Sequence, residues 1–353
     1  MNKNSIKRAR LLVAFALASC VFAFGQTPAT QQTPATRAAQ TISERDVRAH
    51  EEFLAGDAMQ GRGSGTLFEL LAGEYVGAQF RQFGIEPAGD VDASGQRTYI
   101  QTVEIAARPN ATGATGEQPA QHTYNAVGVL RGSDPKLADE VVLLTAHMDH
   151  LGVAGVENSQ CRAVGGDSVC NGADDDASGV VAVLELARVL GAGERPRRTV
   201  YFVTFGSEER GGFGAQYFLA HPPVPLEKMV ANLEFEMIGR PDPKVEAGTL
   251  WLTGFERSNL GAELARHGAR LVADPHPEQQ FFRRSDNYAL ARRGVVAHTV
   301  SSFGLHPEYH RPADDLAHLD IAHMTRAINS MVEPVRWLVN SDFKPAWVEG
   351  KKP

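Results

Sequence analysis

Apolar residues along this chain fall into runs of two kinds. VVLLTA (141–146), TVYFVTF (199–205), VANLEF (230–235) and GVVAHTV (294–300) are continuously hydrophobic rather than alternating. That is the pattern of strands covered on both faces. Longer stretches with helical spacing lie at roughly 66–83, 177–190, 257–268, 285–293 and 321–340. The segment ASGVVAVLELARVL is apolar nearly all round, with only Glu185 and Arg188 forming a polar strip, and reads as a buried helix. Strand and helix alternate, which predicts an α/β fold: a doubly wound, largely parallel mixed sheet with helices on both faces.

The flanks of this region read differently. MNKNSIKRAR carries Lys3, Lys7, Arg8 and Arg10 and precedes LLVAFALASCVFAFG, an apolar run too short for a comfortable membrane span. Residues 1–25 are expected to be a signal peptide, ending in the small-residue sequence AFG before Gln26. The protein is then periplasmic or secreted. A second reading takes Leu17-Ala18-Ser19-Cys20 as a lipobox and the protein as a lipoprotein anchored at Cys20; the apolar VFAFG that follows weighs against it. Residues 26–40, with a repeated TPAT, read as a disordered linker. Residues 41–343 form a single domain and 344–353 a C-terminal tail. RPNATGATGEQPAQ (108–121) reads as a flexible surface loop.

Of 353 residues, 43% are hydrophobic and 22% charged, a globular composition. The net charge of −7 gives no basic footprint for nucleic acid and no reason for attraction to anionic membranes. With Cys20 removed or lipidated, Cys161 and Cys170 remain as an even pair, and in an oxidising compartment they are expected to form a disulfide. The rival reading, two zinc thiolates, lacks the CxxC spacing and further ligands.

The chemistry lies just beyond the buried strands. VVLLTA runs into His147-Met148-Asp149, TVYFVTF into Gly206-Ser207-Glu208-Glu209, and VANLEF into Glu236. GVVAHTV leads through a short loop to His310 in HPEYHRPADD. Ligands of open α/β sheets bind outside the carboxyl ends of the strands, so four strands deliver imidazoles and carboxylates to one edge. NGADDDASG (171–179) sets Asp174, Asp175 and Asp176 beside them, immediately before the buried helix. Three adjacent carboxylates repel one another unless cations share them. Two histidines with three or more carboxylates exceed the needs of one tetrahedral zinc. They suit a pair of metals about 3.5–4 Å apart, with one aspartate bridging.

These motifs resemble those of a known family. HMDHLG, NGADDDASG, GSEERGGFGAQYF, NLEFEMIGR and YHRPADD occur in the order seen in the co-catalytic zinc aminopeptidases of clan MH. That group contains the bacterial leucyl aminopeptidases and aminopeptidase Y, with carboxypeptidase Q and glutamate carboxypeptidase II more distant. DAMQGRGSGT and the helix before FGIEPAG extend the resemblance over residues 41 to 340. It implies a zinc-dependent exopeptidase fold of the phosphorylase/hydrolase type, holding two Zn2+ ions or another divalent cation in their place. It implies His147 and Glu236 as ligands of the first metal, Glu209 and His310 of the second, and Asp174 as the bridge. The peptide bond after the bridge, Asp174–Asp175, is expected to be cis. Asp149 is implied to accept the other ring N–H of His147, and Glu208 to be the general base. The family more often has Asp where Glu236 stands, which leaves Glu234 as a fallback ligand. Asn287 stands where many relatives have His.

Other residues carry weaker expectations. His267, His298 and His323 read as structural, and His150 and His306 as partners in loop hydrogen bonds. Asp175 and Asp176 read as caps of the buried helix. Asp286 is expected near ligands or substrate; either it or Glu278 is a candidate for a substrate ammonium. Phe281, Phe282, Tyr288 and Phe303 either line a hydrophobic side-chain pocket or pack in the core. The run Arg195-Pro196-Arg197-Arg198 is a basic turn without assigned function. The expected function is an exported dinuclear-zinc metallopeptidase acting on peptides or small proteins as an aminopeptidase. Alternatives are a zinc acyltransferase of the glutaminyl cyclase type, a carboxypeptidase or dipeptidase of the same fold, and a non-catalytic metal-binding protein.

Overall fold

The structure, a computed structural model, describes residues 41–105 and 121–353. The expected signal peptide, the linker and nearly all of the 108–121 loop lie outside the described residues. In chain order the main elements are α1 (Glu44–Leu54), α2 (Leu67–Gln82), β1 (Glu86–Pro87), β2 (Ile100–Ile105), β3 (Gln121–Leu130) and β4 (Val141–His147). A short hairpin, β5 (Gly152–Val153) and β6 (Val169–Cys170), leads to α3 (Gly179–Gly191) and β7 (Thr199–Phe205). Then come α4 (Phe213–Ala220), β8 (Met229–Phe235), β9 (Leu250–Leu252), α5 (Leu260–Arg266) and β10 (Leu271–Ala273). The chain finishes with α6 (Asn287–Arg292), β11 (Ala297–Ser301) and α7 (Ile321–Asn340).

The main sheet runs β1-β3-β7-β4-β8-β11-β9-β10, with β2 also paired to β3. Its centre, β7-β4-β8-β11, is parallel throughout. β3 runs antiparallel to β7, and β9 antiparallel to β11. Continuous apolar character in β4 is explained by its two neighbours: Val142, Leu144 and Ala146 enter the core under α1, α2, α3, α5 and α7, while Val141 and Leu143 enter a second core under α4 and α6. Because α3 is wedged in the first core, nearly all its residues are buried. Its Glu185 has no access to water and is held by Arg188 at 2.6 Å and His50 at 3.4 Å. The order also reverses at β4, since the chain goes to β7 on one side and to β8 on the other. Such a reversal opens a crevice at the carboxyl ends of the strands.

The expected elements match within a few residues. The sequence reading passed over α1, α4 and the long strand β3. It also set residues 344–353 apart as a tail, yet this segment is anchored: Trp347 Nε1 donates to Gly294 O at 3.1 Å, and Val348 N to Arg257 O at 2.8 Å. The basic turn before β7 has a structural use. Arg198 is buried, pairs with Glu140 at 2.9 Å and donates to the carbonyls of Leu338, Ser341 and Phe343, which fixes the end of α7. Cys161 and Cys170 form the expected disulfide, with sulfurs 2.06 Å apart. Among the described residues no helix is long and apolar enough to cross a membrane.

Candidate metal centre

The crevice is built from the ends of four parallel strands. His147 is the last residue of β4 and stands level with Phe205, the last of β7. Glu208 and Glu209 follow β7 through a turn in which Ser207 takes a positive φ of 56°. Two buried carboxylates hold that turn. Glu69 of α2 accepts from Ser207 N at 3.0 Å, and Asp149 accepts from Glu208 N at 2.9 Å and Glu209 N at 3.3 Å. Ser64 also donates to Asp149. Glu236 is the first residue beyond β8, tied by its N–H to Val300 O of β11 at 3.1 Å. His310 lies in the loop after β11, stacked on Tyr309 with ring centroids 3.8 Å apart.

The aspartate run shows which of three carboxylates faces the crevice. Asp175 and Asp176 have non-helical backbone angles, so the three side chains diverge. Asp174 turns away: its carboxylate accepts from Gly239 N at 2.7 Å and lies 2.9 Å from His306 Nε2. Asp176 accepts from Gly179 N at the start of α3, from Met237 N and from His147 N, so it joins the helix to two strand ends. Asp175 alone points into the crevice. Asp174, expected as the bridge, is therefore corrected to Asp175, and the cis bond is Asp175–Asp176 rather than Asp174–Asp175. The spacing of a DDD run says nothing about this choice. It is made by Asp314, whose carboxylate receives the N–H groups of both Asp174 and Asp175, at 2.9 and 3.0 Å.

Two ligand groups converge on Asp175. Atoms of His147, Asp175 and Glu236 lie within 4.8 Å of one another, as do those of His150, Asp175 and Glu209. His310 joins the second group, with Nε2 3.1 Å from Asp175 Oδ2 and 3.2 Å from Glu209 Oε1. His150 was read as a loop hydrogen-bonding residue. It instead brings Nδ1 to 3.0 Å from Glu209 Oε1, in a place that only a glycine at 172 leaves free: a Cβ there would meet its ring at 2.4 Å. The short motif HMDH is the sequence signal for it, since His150 stands three residues after His147 at the end of β4.

Whether cations suit these groups can be tested on their hydrogen bonding. Asp175 Oδ2, Glu209 Oε1 and both ring nitrogens of His150 are buried without an aligned hydrogen-bond partner. Buried polar atoms are rarely left so, and a bound ion is one standard reason. The donor set, imidazole with carboxylate, is the one zinc prefers. The residues fit two divalent cations.

Electrostatics agree. Without metal, burial pushes Glu236 up to about 7 despite the opposing charge of His147. Burial likewise raises Glu208 well above the carboxylate range, and Asp286 to about 7. Burial disfavours a charged His310, but the Asp175 and Glu209 carboxylates 3.1 and 3.2 Å from its Nε2 outweigh it and lift the ring to about 10. Glu234, the fallback ligand, belongs to neither group. It is buried with both oxygens unpartnered and its pKa is raised by that burial. Asp149 meets His147 Nδ1 chiefly through its backbone carbonyl, at 3.2 Å, with its carboxylate at 3.7 Å.

Two cavities meet at Glu208. One, of about 70 Å³, is walled by Met237, Trp251, Phe281 and Phe303 beside Asp175, Glu209 and Glu236. Of the four aromatics considered from the sequence, Phe281 and Phe303 therefore line a pocket next to the ligand groups. Phe282 packs in the second core, and Tyr288 lines the other, larger cavity. His298 bonds Ser258 and Thr253, His323 lies 3.1 Å from Ser302 Oγ, and His267 stacks on Trp337; these three are structural.

A reversing α/β sheet whose parallel strands end in two imidazole–carboxylate groups sharing one aspartate is the architecture of a dinuclear metal centre. The chain belongs to peptidase family M28, which its residues 125–334 match. It is 29% identical over 253 residues to leupeptin-inactivating enzyme 1 of Streptomyces exfoliatus, covering 69% of this chain and 47% of that protein. The chain spans about half the length of this and other curated relatives it matches. The fold is also that of an aminopeptidase from Aneurinibacillus sp. strain AM-1, with TM-score 0.61 and 15% identity over 86% of this chain and 95% of that one. A glutaminyl cyclase from Porphyromonas gingivalis matches as well, with TM-score 0.60 and 18% identity over 85% of this chain and all of the other. The fold alone does not choose between these chemistries.

Proposed function

We propose that the protein is an exported, dinuclear-zinc aminopeptidase that removes N-terminal residues from peptides. The observation that carries this reading is the convergence of two ligand groups on Asp175 with Glu208 beside them. His147, Asp175 and Glu236 would hold one cation, and Asp175, Glu209 and His310, with His150 adjoining, the other. When bound, such ions acidify a shared water and polarise a scissile carbonyl.

The chain's own residues supply the rest. Glu208 borders both cavities and carries no metal-binding partner, so it is free to take a proton from the attacking water and return it to the departing amine. A carboxylate whose pKa is raised by burial suits that shuttle better than an ordinary surface glutamate. Asp149 and Glu69 fix the backbone on either side of Glu208, which keeps it apart from Glu209. The smaller cavity takes the side chain of the N-terminal residue against its wall of Met237, Trp251, Phe281 and Phe303. Glu208, Glu209 and Glu236 on its wall give a free ammonium a counter-charge; Asp286 lines the larger cavity instead, and Glu278 is exposed and belongs to neither.

Export is supported by the disulfide, which persists in oxidising compartments. The test is release of chromophore from leucyl anilide by freshly purified protein, with metal content measured in parallel. Activity that falls on chelation and returns with zinc is the expected result. Ammonia release from N-terminal glutamine, without anilide hydrolysis, would instead establish the cyclase chemistry.

A further inference from the structure

The second cavity at Glu208 has a character the peptidase reading does not use. It is an open cleft of about 750 Å³, bounded by Arg283 and Arg284 before α6 and by Arg292 and Arg293 at its end. All four arginines are exposed, and none is ion-paired or hydrogen-bonded through its side chain to a carboxylate among the described residues. Elsewhere Arg198 and Arg240 each hold one, and Arg197 holds two. Arg284 lies 4.9 Å above the Phe281 ring. Against these four guanidiniums the cleft offers two carboxylates, Glu208 and Asp286, and the second is buried. In a chain with net charge −7, such a local excess of positive charge lies against the general balance.

Position gives the excess a meaning. Glu208, Arg284 and Ser285 line both cavities, so the smaller, aromatic-walled pocket and the arginine cleft are consecutive along one path past Glu208. A peptide whose first side chain fills the smaller pocket would carry its remaining residues into the cleft. An extended chain advances about 3.3 Å per residue, and the six residues of α6 span about 9 Å, so the two arginine pairs lie roughly three residues of an extended peptide apart and can meet a carboxylate at more than one position of the departing part. Guanidinium presents a planar fork that matches carboxylate geometry.

We propose that this cleft recognises a carboxylate on the leaving side of the substrate, supplied by the C-terminus of a short peptide or by an acidic side chain. The proposal rests on the aminopeptidase reading and adds a substrate preference to it.

The test uses the full chain loaded with zinc and compares three substrates: Leu-Ala-Ala as the free acid, Leu-Ala-Ala amide, and Leu-Ala-Glu amide. The free acid should exceed its amide in kcat/KM by about tenfold at low ionic strength, the size expected of partly exposed charge-assisted contacts, with the difference mainly in KM. Preference for the free acid alone assigns the cleft to the C-terminus. Equal gain with Leu-Ala-Glu amide assigns it to any nearby carboxylate. The ratio should approach unity near 0.5 M salt, where screening reaches a few ångström. It should shrink several-fold in the double variant Arg283→Gln/Arg292→Gln, changed at exposed positions, and be largely kept in Arg283→Lys/Arg292→Lys. Hydrolysis of acid and amide at equal rates, or a ratio indifferent to these substitutions, overturns the cleft assignment and leaves the aminopeptidase standing. Failure to hydrolyse any free-amine substrate, with N-blocked peptides cleaved, overturns both.

Discussion

The two ligand groups share Asp175 but are built differently. His147 and Glu236 sit at the very ends of adjacent central strands, and the His147 side chain is almost wholly buried. The second group hangs on loops: Glu209 on the turn after β7, His150 before the β5–β6 hairpin, and His310 on a loop after β11 with 37% of its side chain exposed. Strand ends are held by the sheet ladder on both sides. Loops are held by whatever reaches them, here Asp149 beneath Glu209 and Gln160, which donates to Glu209 O at 2.7 Å. The first site should accordingly be preformed and tight, and the second more labile.

Removing the shared residue should erase the contrast. Asp175→Ala is expected to lose metal from both sites and to reduce turnover by about 1000-fold or more, since several kcal/mol of charge stabilisation depend on the pair. Asp174→Asn should keep both metals and cost stability instead, on the order of 1–3 kcal/mol for disturbed buried hydrogen bonds. Metal analysis and thermal melts of the two variants separate them. If Asp174→Asn loses metal and Asp175→Ala does not, the corrected assignment of the bridge is wrong.

Glu208→Gln addresses the group that belongs to neither site. It should retain two metals while kcat falls by about 100- to 10,000-fold, the contribution typical of a positioned general base. Parent-like turnover in a variant with full metal content would remove Glu208 from the chemistry.

The difference in rigidity itself is open to stepwise chelation. One cation should leave well before the other, and His150→Gln should weaken the labile site by about 10- to 100-fold, as loss of a group supporting a metal ligand commonly does. The tighter site should be unchanged. Titration of the metal-free protein by calorimetry reads both steps. A variant with two parent-like affinities would return His150 to a packing role.

How much of this was legible beforehand follows the same division. Strands β4, β7 and β8 announce themselves by continuous apolar runs, and the residues just past them had to lie at one sheet edge once the strands were parallel. His147, Glu208, Glu209 and Glu236 could thus be placed from pattern and chemistry together. What escaped depends on contacts between distant loops. Arg62 is buried and donates to the carbonyls of Leu54, Met148, Asn171 and Gly172, which locks the His147 loop to the aspartate run. Glu69 does the same for the Glu208 turn. Neither residue has a periodicity or a spacing that betrays such a task. The choice of Asp175 over Asp174 rests on Asp314, some 140 residues away. Strand β3 was missed because its first residues, QHTY, are polar or amphipathic and adjoin a glycine- and threonine-rich loop.

The smallest expected effect distinguishes the two groups by the protons they hold when the metals are absent. Glu236 has its folded pKa raised to about 7, above the ordinary carboxylate value. The folded metal-free protein therefore binds this proton more tightly than the unfolded chain, and stability falls as pH rises from about 4.5 to 7. His310 is raised from 6.5 to about 10, so its contribution is complete below 6.5 and is lost as pH climbs through 10. Its partial exposure limits that loss to about 1 kcal/mol or less. Melting temperatures of the metal-free protein should then decline in two stages, the lower reduced by Glu236→Gln and the upper abolished by His310→Gln. Bound cations replace the protons in both groups, so the loaded protein should show neither stage. A metal-free profile that is flat between pH 6.5 and 10 would mean that His310 does not stand between Asp175 and Glu209 in solution, and the second group would lose its most exposed member.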